Sequence, residues 1–68
     1  MQLNITLNGS TFPVSAETSI AQLLADLGYA EKRVALERNG AIVSRSAHNS
    51  TLLEAGDRLE IVQAIGGG

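Results

Sequence analysis

The sequence predicts an α+β fold, with one main helix packed on one face of a mixed β-sheet of four to five strands. Three observations predict it. Apolar and polar residues alternate near both ends of the chain, two Asn-Gly pairs mark tight turns, and one stretch between them has helical spacing with its own start and stop signals.

The elements follow in order. Leu3, Ile5 and Leu7 are apolar, while Gln2, Asn4 and Thr6 are polar, so the first strand buries one face. Asn8-Gly9 suits a type I′ turn, which needs positive φ at both central residues. Thr11 to Ser15 is the return strand, with Phe12 and Val14 on one face. Pro13 has no N–H to donate, which places this strand at a sheet edge. The helix starts at Ser19 as N-cap, with Gln22 at capping-box spacing. Its apolar stripe is Ile20, Leu23, Leu24 and Leu27, and Gly28 supplies the stop. Val34 to Arg38 is the third strand, with Val34 and Leu36 inward. Asn39-Gly40 turns the chain into a short fourth strand, Ala41 to Val43. Ser44 to Ser50 is a polar loop, and Thr51 to Glu54 carries capping-box spacing for a short helical turn ended by Gly56. Arg58 to Ala64 is the last strand, with Leu59 and Ile61 on one face and Glu60 and Val62 on the other. If the second strand is an edge, the first needs another neighbour, and the last strand is the most apolar candidate. A parallel pairing of first and last strands gives the ubiquitin-like β-grasp arrangement, with a domain over 1–64 and a flexible tail over 65–68.

Composition narrows the function. The chain has 68 residues, room for one small domain, and 44% of them are hydrophobic. Aromatics make up 3%, so aliphatic side chains fill the core and no stacking platform for bases is available. The formal charge is -2 with no basic run, which argues against nucleic acid. No apolar run approaches the roughly 20 residues of a membrane span, and no secretory pattern opens the chain. The expectation is a cytoplasmic protein without a membrane partner. There is no cysteine and one histidine, His48. Thiolate chemistry and a His-rich metal site are therefore excluded, and His48, in a polar loop, reads as an ordinary solvated side chain. Glu31-Lys32-Arg33 reads as a solvated connection.

Three of the seven glycines are the last three residues, Gly66, Gly67 and Gly68. Such an end serves as a plain linker, or as something more specific. An extended tail without side chains can enter a narrow enzyme channel and present an unhindered carboxylate. A carboxylate is a poor electrophile, but coupling to AMP supplies a leaving group that sulfur can displace. In a chain without cysteine, Gly68 is then the only plausible attachment point for sulfur, with Gly66 and Gly67 giving clearance. Val62 and Ala64, on the open face of the sheet, together with Ile65, form a candidate docking patch for the enzyme that accepts the tail. Equally, they are ordinary exposed apolar residues.

Taken together, the residues resemble the ThiS family, the sulfur carriers of thiamine biosynthesis, over essentially the whole chain. The resemblance rests on the Met1-to-Leu7 strand, Ser19-Ile20-Ala21-Gln22-Leu23-Leu24, and Val34-Ala35-Leu36 followed by Asn39 and Ile42-Val43. Arg45, Gly56-Asp57, the Leu59-to-Ala64 strand and the terminal glycines complete it. Two positions depart from the family pattern: Ser44 stands where proline is common, and Ala47-His48 where tryptophan often occurs. The resemblance implies that an E1-like adenylyltransferase of the ThiF type activates Gly68 with ATP and magnesium. A sulfur donor such as a cysteine desulfurase then yields a thiocarboxylate, and a thiazole synthase of the ThiG type takes the sulfur. The carrier itself would be no enzyme and would bind no metal or cofactor. The alternatives are a sister carrier of the molybdopterin synthase small-subunit type, a ubiquitin-like modifier, or a non-covalent β-grasp binding module.

Overall fold

The computed structural model describes residues 1–29 and 33–63. Its elements are β1 (Gln2–Leu7), β2 (Ser10–Ser15), α1 (Ile20–Asp26), β3 (Val34–Arg38), β4 (Ala41–Val43), a 3₁₀ turn (Arg45–Ala47) and β5 (Arg58–Gln63). The strands form one five-stranded sheet in the order β2-β1-β5-β3-β4. β1 and β5 run parallel, with Thr6 opposite Arg58 and Leu7 opposite Leu59. The remaining pairs are antiparallel. The expected topology is thus present, with β2, the strand containing Pro13, at an edge.

Both Asn-Gly turns have positive φ at both residues, as a type I′ turn requires. Each asparagine also holds the central strand. Asn8 donates its backbone N–H to the Leu59 carbonyl at 2.9 Å, and its side-chain oxygen accepts from the Ile61 N–H at 2.8 Å. Asn39 donates to the Arg58 carbonyl at 2.7 Å, and its Oδ1 accepts from the Arg58 N–H at 2.9 Å. The two hairpin turns therefore act as short extensions of β1 and β3 along β5.

The helix packs its stripe inward: Ile20, Leu23 and Leu24 are buried, and Leu27 is partly so. With Ile5, Val14, Leu36, Leu53 and Leu59 they make the core. Each fully buried Leu or Ile contributes about 1.5–3 kcal/mol from removal of apolar surface. Ser19 caps the helix through its hydroxyl, which accepts from the Gln22 N–H at 3.0 Å. The reciprocal half of the capping box is absent, because the Gln22 amide donates instead to Asp26 at 2.8 Å. The helix ends in a Schellman motif: Tyr29 N–H reaches the Leu24 carbonyl at 2.7 Å and Gly28 N–H that of Ala25 at 3.0 Å.

Two expectations between 44 and 54 are corrected. The Ser44–Ser50 segment contains the 3₁₀ turn rather than a plain loop. Thr51 to Glu54 forms no helical turn. It is an extended crossing in which Leu52 bridges Ser19, Leu53 N–H donates to the Thr18 carbonyl, and Leu53 enters the core. The reason lies at the start of α1. The Ile20 and Ala21 N–H groups have no partner within the helix, and the Thr51 and His48 carbonyls accept from them at 3.0 Å each.

Gly28 has φ +88°, and a Cβ there would meet nothing within 4 Å. The cost of a side chain is therefore one of backbone conformation alone. Gly28→Ala should lower stability by about 1 kcal/mol in urea unfolding, with an unchanged m-value; an equal or higher midpoint would contradict the left-handed stop.

Candidate functional site

Val62 lies on β5 on the sheet face away from α1 and is 57% exposed. Its neighbours Leu59 and Ile61 point into the core, so the expected strand parity holds. Ala64, Ile65, Gly66, Gly67 and Gly68 lie outside the described residues, as do Glu31 and Lys32. The described part of the chain leaves β5 at Gln63, still paired with Val34 of β3. Gly68 is five positions beyond Gln63 in the sequence.

The start of β5 is fixed by a carboxylate. Asp57 is buried. Its Oδ2 accepts from Arg38 Nε at 2.9 Å and from the Glu54 N–H at 2.8 Å, and its Oδ1 accepts from the Asn39 amide at 3.2 Å. Its backbone carbonyl accepts from Thr6 N–H of β1 at 2.8 Å. Asp57 thus ties β1, β3 and the 54–57 turn to the first residue of β5. Burial alone would raise its pKa. The Glu54 N–H, the Asn39 amide and the Arg38 guanidinium outweigh burial and hold the carboxyl below its ordinary 3.8. Arg38 also approaches Glu54 at 3.5 Å, but that glutamate is largely exposed and the contact adds little. The Asp57 partners Arg38 and Asn39 are 19 and 18 residues away in the sequence.

His48 is a correction. It is buried, not solvated. Its Nε2 lies 3.1 Å from the Val43 carbonyl, and since that oxygen can only accept, Nε2 donates in this contact. With its own carbonyl on the Ala21 N–H, His48 ties β4 to the start of α1 as a structural residue. A cavity of about 320 Å³ opens beside it on the helix side, lined in part by Leu24, Tyr29, Val34, Arg45 and Asn49. Among the described residues, no carboxylate lines it. Among the described residues, no three His, Cys, Asp or Glu side chains could hold a metal ion, and no helix is long and apolar enough to cross a membrane.

What the described residues offer is a central strand paired on both sides and an exposed sheet face. Comparison with known proteins points the same way. The ThiS family model matches residues 4–68. A thiazole synthase from Magnetococcus marinus is 42% identical over 66 residues, which cover 97% of this chain and 20% of that protein. A thiazole synthase from Paramagnetospirillum magneticum is 39% identical over the same length and shares. The chain therefore spans about a fifth of the length of these curated relatives. The crystal structure of a thiamine biosynthesis protein (ThiS) from Geobacter metallireducens superposes with a TM-score of 0.83 at 32% identity, over 97% of this chain and 100% of that one.

The native state releases the Asp57 proton more readily than the unfolded chain does. Asp57 therefore adds stability above the ordinary carboxylate value, and that share is lost as pH falls through its lower native value. Asp57→Asn should cost about 1.5–3 kcal/mol at neutral pH and flatten the acid limb of the stability profile. Urea midpoints measured from neutral pH downward check this, and parallel curves for the two proteins would contradict it.

Proposed function

We infer the function from one premise: the chain belongs to the ThiS family. It is a sulfur carrier of thiamine biosynthesis. Its reactive group is the carboxylate of Gly68, and the described residues present that group and dock it. The observation that carries the reading is the pairing of a triple-glycine end with a sheet matched at TM-score 0.83 to a thiamine biosynthesis protein (ThiS).

The chemistry runs through an acyl adenylate. An E1-like adenylyltransferase, using ATP and magnesium, joins the Gly68 carboxylate to AMP and releases pyrophosphate. A sulfur nucleophile from a donor such as a cysteine desulfurase attacks the carbonyl carbon, and AMP leaves with the bonding pair. The product is a thiocarboxylate, the form that delivers sulfur. Gly66 and Gly67 let the end pass through a narrow channel, because neither carries a side chain. Val62, with Ala64 and Ile65, contributes apolar docking surface, which the exposure of Val62 supports.

A thiazole synthase is the acceptor. In two relatives of that name, the stretch similar to this chain makes up 20% of the protein. A carrier segment on the same polypeptide as its acceptor works at high effective concentration. The carrier returns as a carboxylate after each cycle, so it is a co-substrate rather than an enzyme, and it works in the cytoplasm.

Incubation with ATP, the adenylating enzyme and a sulfide source should raise the intact mass by the exchange of one oxygen for one sulfur. Fragmentation should locate the change at Gly68, and the new group should react with an alkylating reagent that leaves the cysteine-free starting protein untouched. An unchanged mass, or sulfur on an internal carboxylate, would overturn the reading.

A further inference from the structure

The two hairpin turns form a matched pair with one chemical difference. Of the asparagines, Asn8 and Asn39 alone precede glycine. Their backbones are nearly the same: φ is 49° and 87° across Asn8-Gly9, and 53° and 90° across Asn39-Gly40. A Cβ on either glycine would meet nothing within 4 Å. Neither glycine N–H has a backbone partner among the described residues. Each asparagine Oδ1 accepts one backbone N–H, from Ile61 at 2.8 Å and from Arg58 at 2.9 Å respectively. Those N–H groups only donate, so they fix which amide atom is oxygen and which is nitrogen.

The amide nitrogens differ. Asn39 Nδ2 donates to Oδ1 of the buried Asp57 carboxylate at 3.2 Å. The other Asp57 oxygen is taken by Arg38 and the Glu54 N–H. Asn8 is exposed, and among the described residues its Nδ2 meets no acceptor. The difference bears on a reaction open to any Asn-Gly pair. The glycine nitrogen loses its proton and attacks the side-chain Cγ. The bond from Cγ to the amide nitrogen breaks, and that nitrogen takes up a proton and leaves as ammonia. Water then opens the resulting succinimide, at Cγ to give aspartate or at the main-chain carbonyl to give isoaspartate. A backbone N–H on Oδ1 stabilises the charge that develops there, and both turns supply one. Departure of ammonia also needs a nitrogen free to leave planarity and gain a proton. Water supplies that proton at Asn8. At Asn39 the nitrogen is tied to a carboxylate that is ionised at neutral pH and has no proton to give. Its product would also set a second carboxylate against Asp57, and like charges that close disfavour each other.

We propose that Asn8 is a site of self-modification by deamidation, and that Asp57 protects Asn39 from the same reaction. The consequence at position 8 falls on β5. The Asn8 backbone N–H holds the Leu59 carbonyl and its side chain holds the Ile61 N–H, beyond the last β1–β5 pair at Leu7. Isoaspartate adds its β carbon to the backbone of a two-residue turn whose geometry allows no insertion. Both contacts to β5 are then displaced.

The test ages the full chain in mildly alkaline buffer, below its unfolding temperature, and maps tryptic peptides by mass. Cleavage after Lys32, Arg38 and Arg45 places Asn8 and Asn39 on different peptides. The exchange of NH for O should appear at position 8 faster than at position 39, by on the order of tenfold or more, the factor set by a hydrogen bond to a charged group. In concentrated guanidinium chloride the two rates should converge, because the following glycine dominates the rate in an unfolded chain. Equal rates in the folded chain, or a ratio that the denaturant leaves unchanged, would overturn the proposal. So would an Asn8 that stays intact in the folded chain while the unfolded chain reacts. The isoaspartyl form, separated by its added charge, should unfold at a lower temperature than the parent; equal midpoints would overturn the assigned effect on β5.

Discussion

The last strand of the chain is the middle strand of the sheet, and the structure depends on that placement. β5 must find β1 on one side and β3 on the other. The parallel contact joins residues about fifty positions apart, such as Thr6 and Arg58. Leu59, with no exposed surface, sits where α1 and the strands meet. Without β5, β1 and β3 would be edges of two separate hairpins, each marginal in water by itself. The side chains that secure this strand are short and polar. Asn8 and Asn39 each accept a β5 N–H on a side-chain oxygen, from Ile61 and Arg58, and the Asp57 carboxylate just before β5 accepts from Arg38, Asn39 and the Glu54 N–H. They act where strand pairing with β1 stops at Leu7 and where β3 turns back.

This placement links fold to function. A strand held from both sides at its start, and paired with β3 through Gln63, gives whatever follows a fixed point of departure. The same strand turns Glu60 and Val62 outward. On the proposed function, docking surface and tail share one element. Asp57, buried and saturated with donors, serves the fold.

Much of this was legible in the sequence because period and turn chemistry are local. Alternation in Leu3, Ile5 and Leu7, the Asn-Gly pairs, and the Ile20-Leu23-Leu24 stripe each report a structure within a few residues. Pro13 also identified an edge, and from that edge the parallel β1–β5 pair followed. What was not legible depends on partners far along the chain. Nothing near Asp57 announces Arg38 or Asn39, and nothing near His48 announces the Val43 carbonyl and the Ala21 N–H together. The Thr51-to-Glu54 spacing matched a capping box, yet Thr51 gives its carbonyl to the start of another helix. The same residue types satisfy either arrangement, and tertiary contact decides between them. Residues 64–68, which include the tail, lie outside the described residues.

The central claim is that the described residues make the carrier and the last residue does the chemistry. Deletion of Gly68 separates the two most directly, since it leaves a glycine carboxylate one residue short of the reacting position. The account predicts an unchanged unfolding midpoint, unchanged affinity for the adenylating enzyme, and adenylation reduced on the order of a hundredfold or more, because a small misplacement of reacting atoms is costly. Adenylation of the shortened chain at the wild-type rate would contradict it.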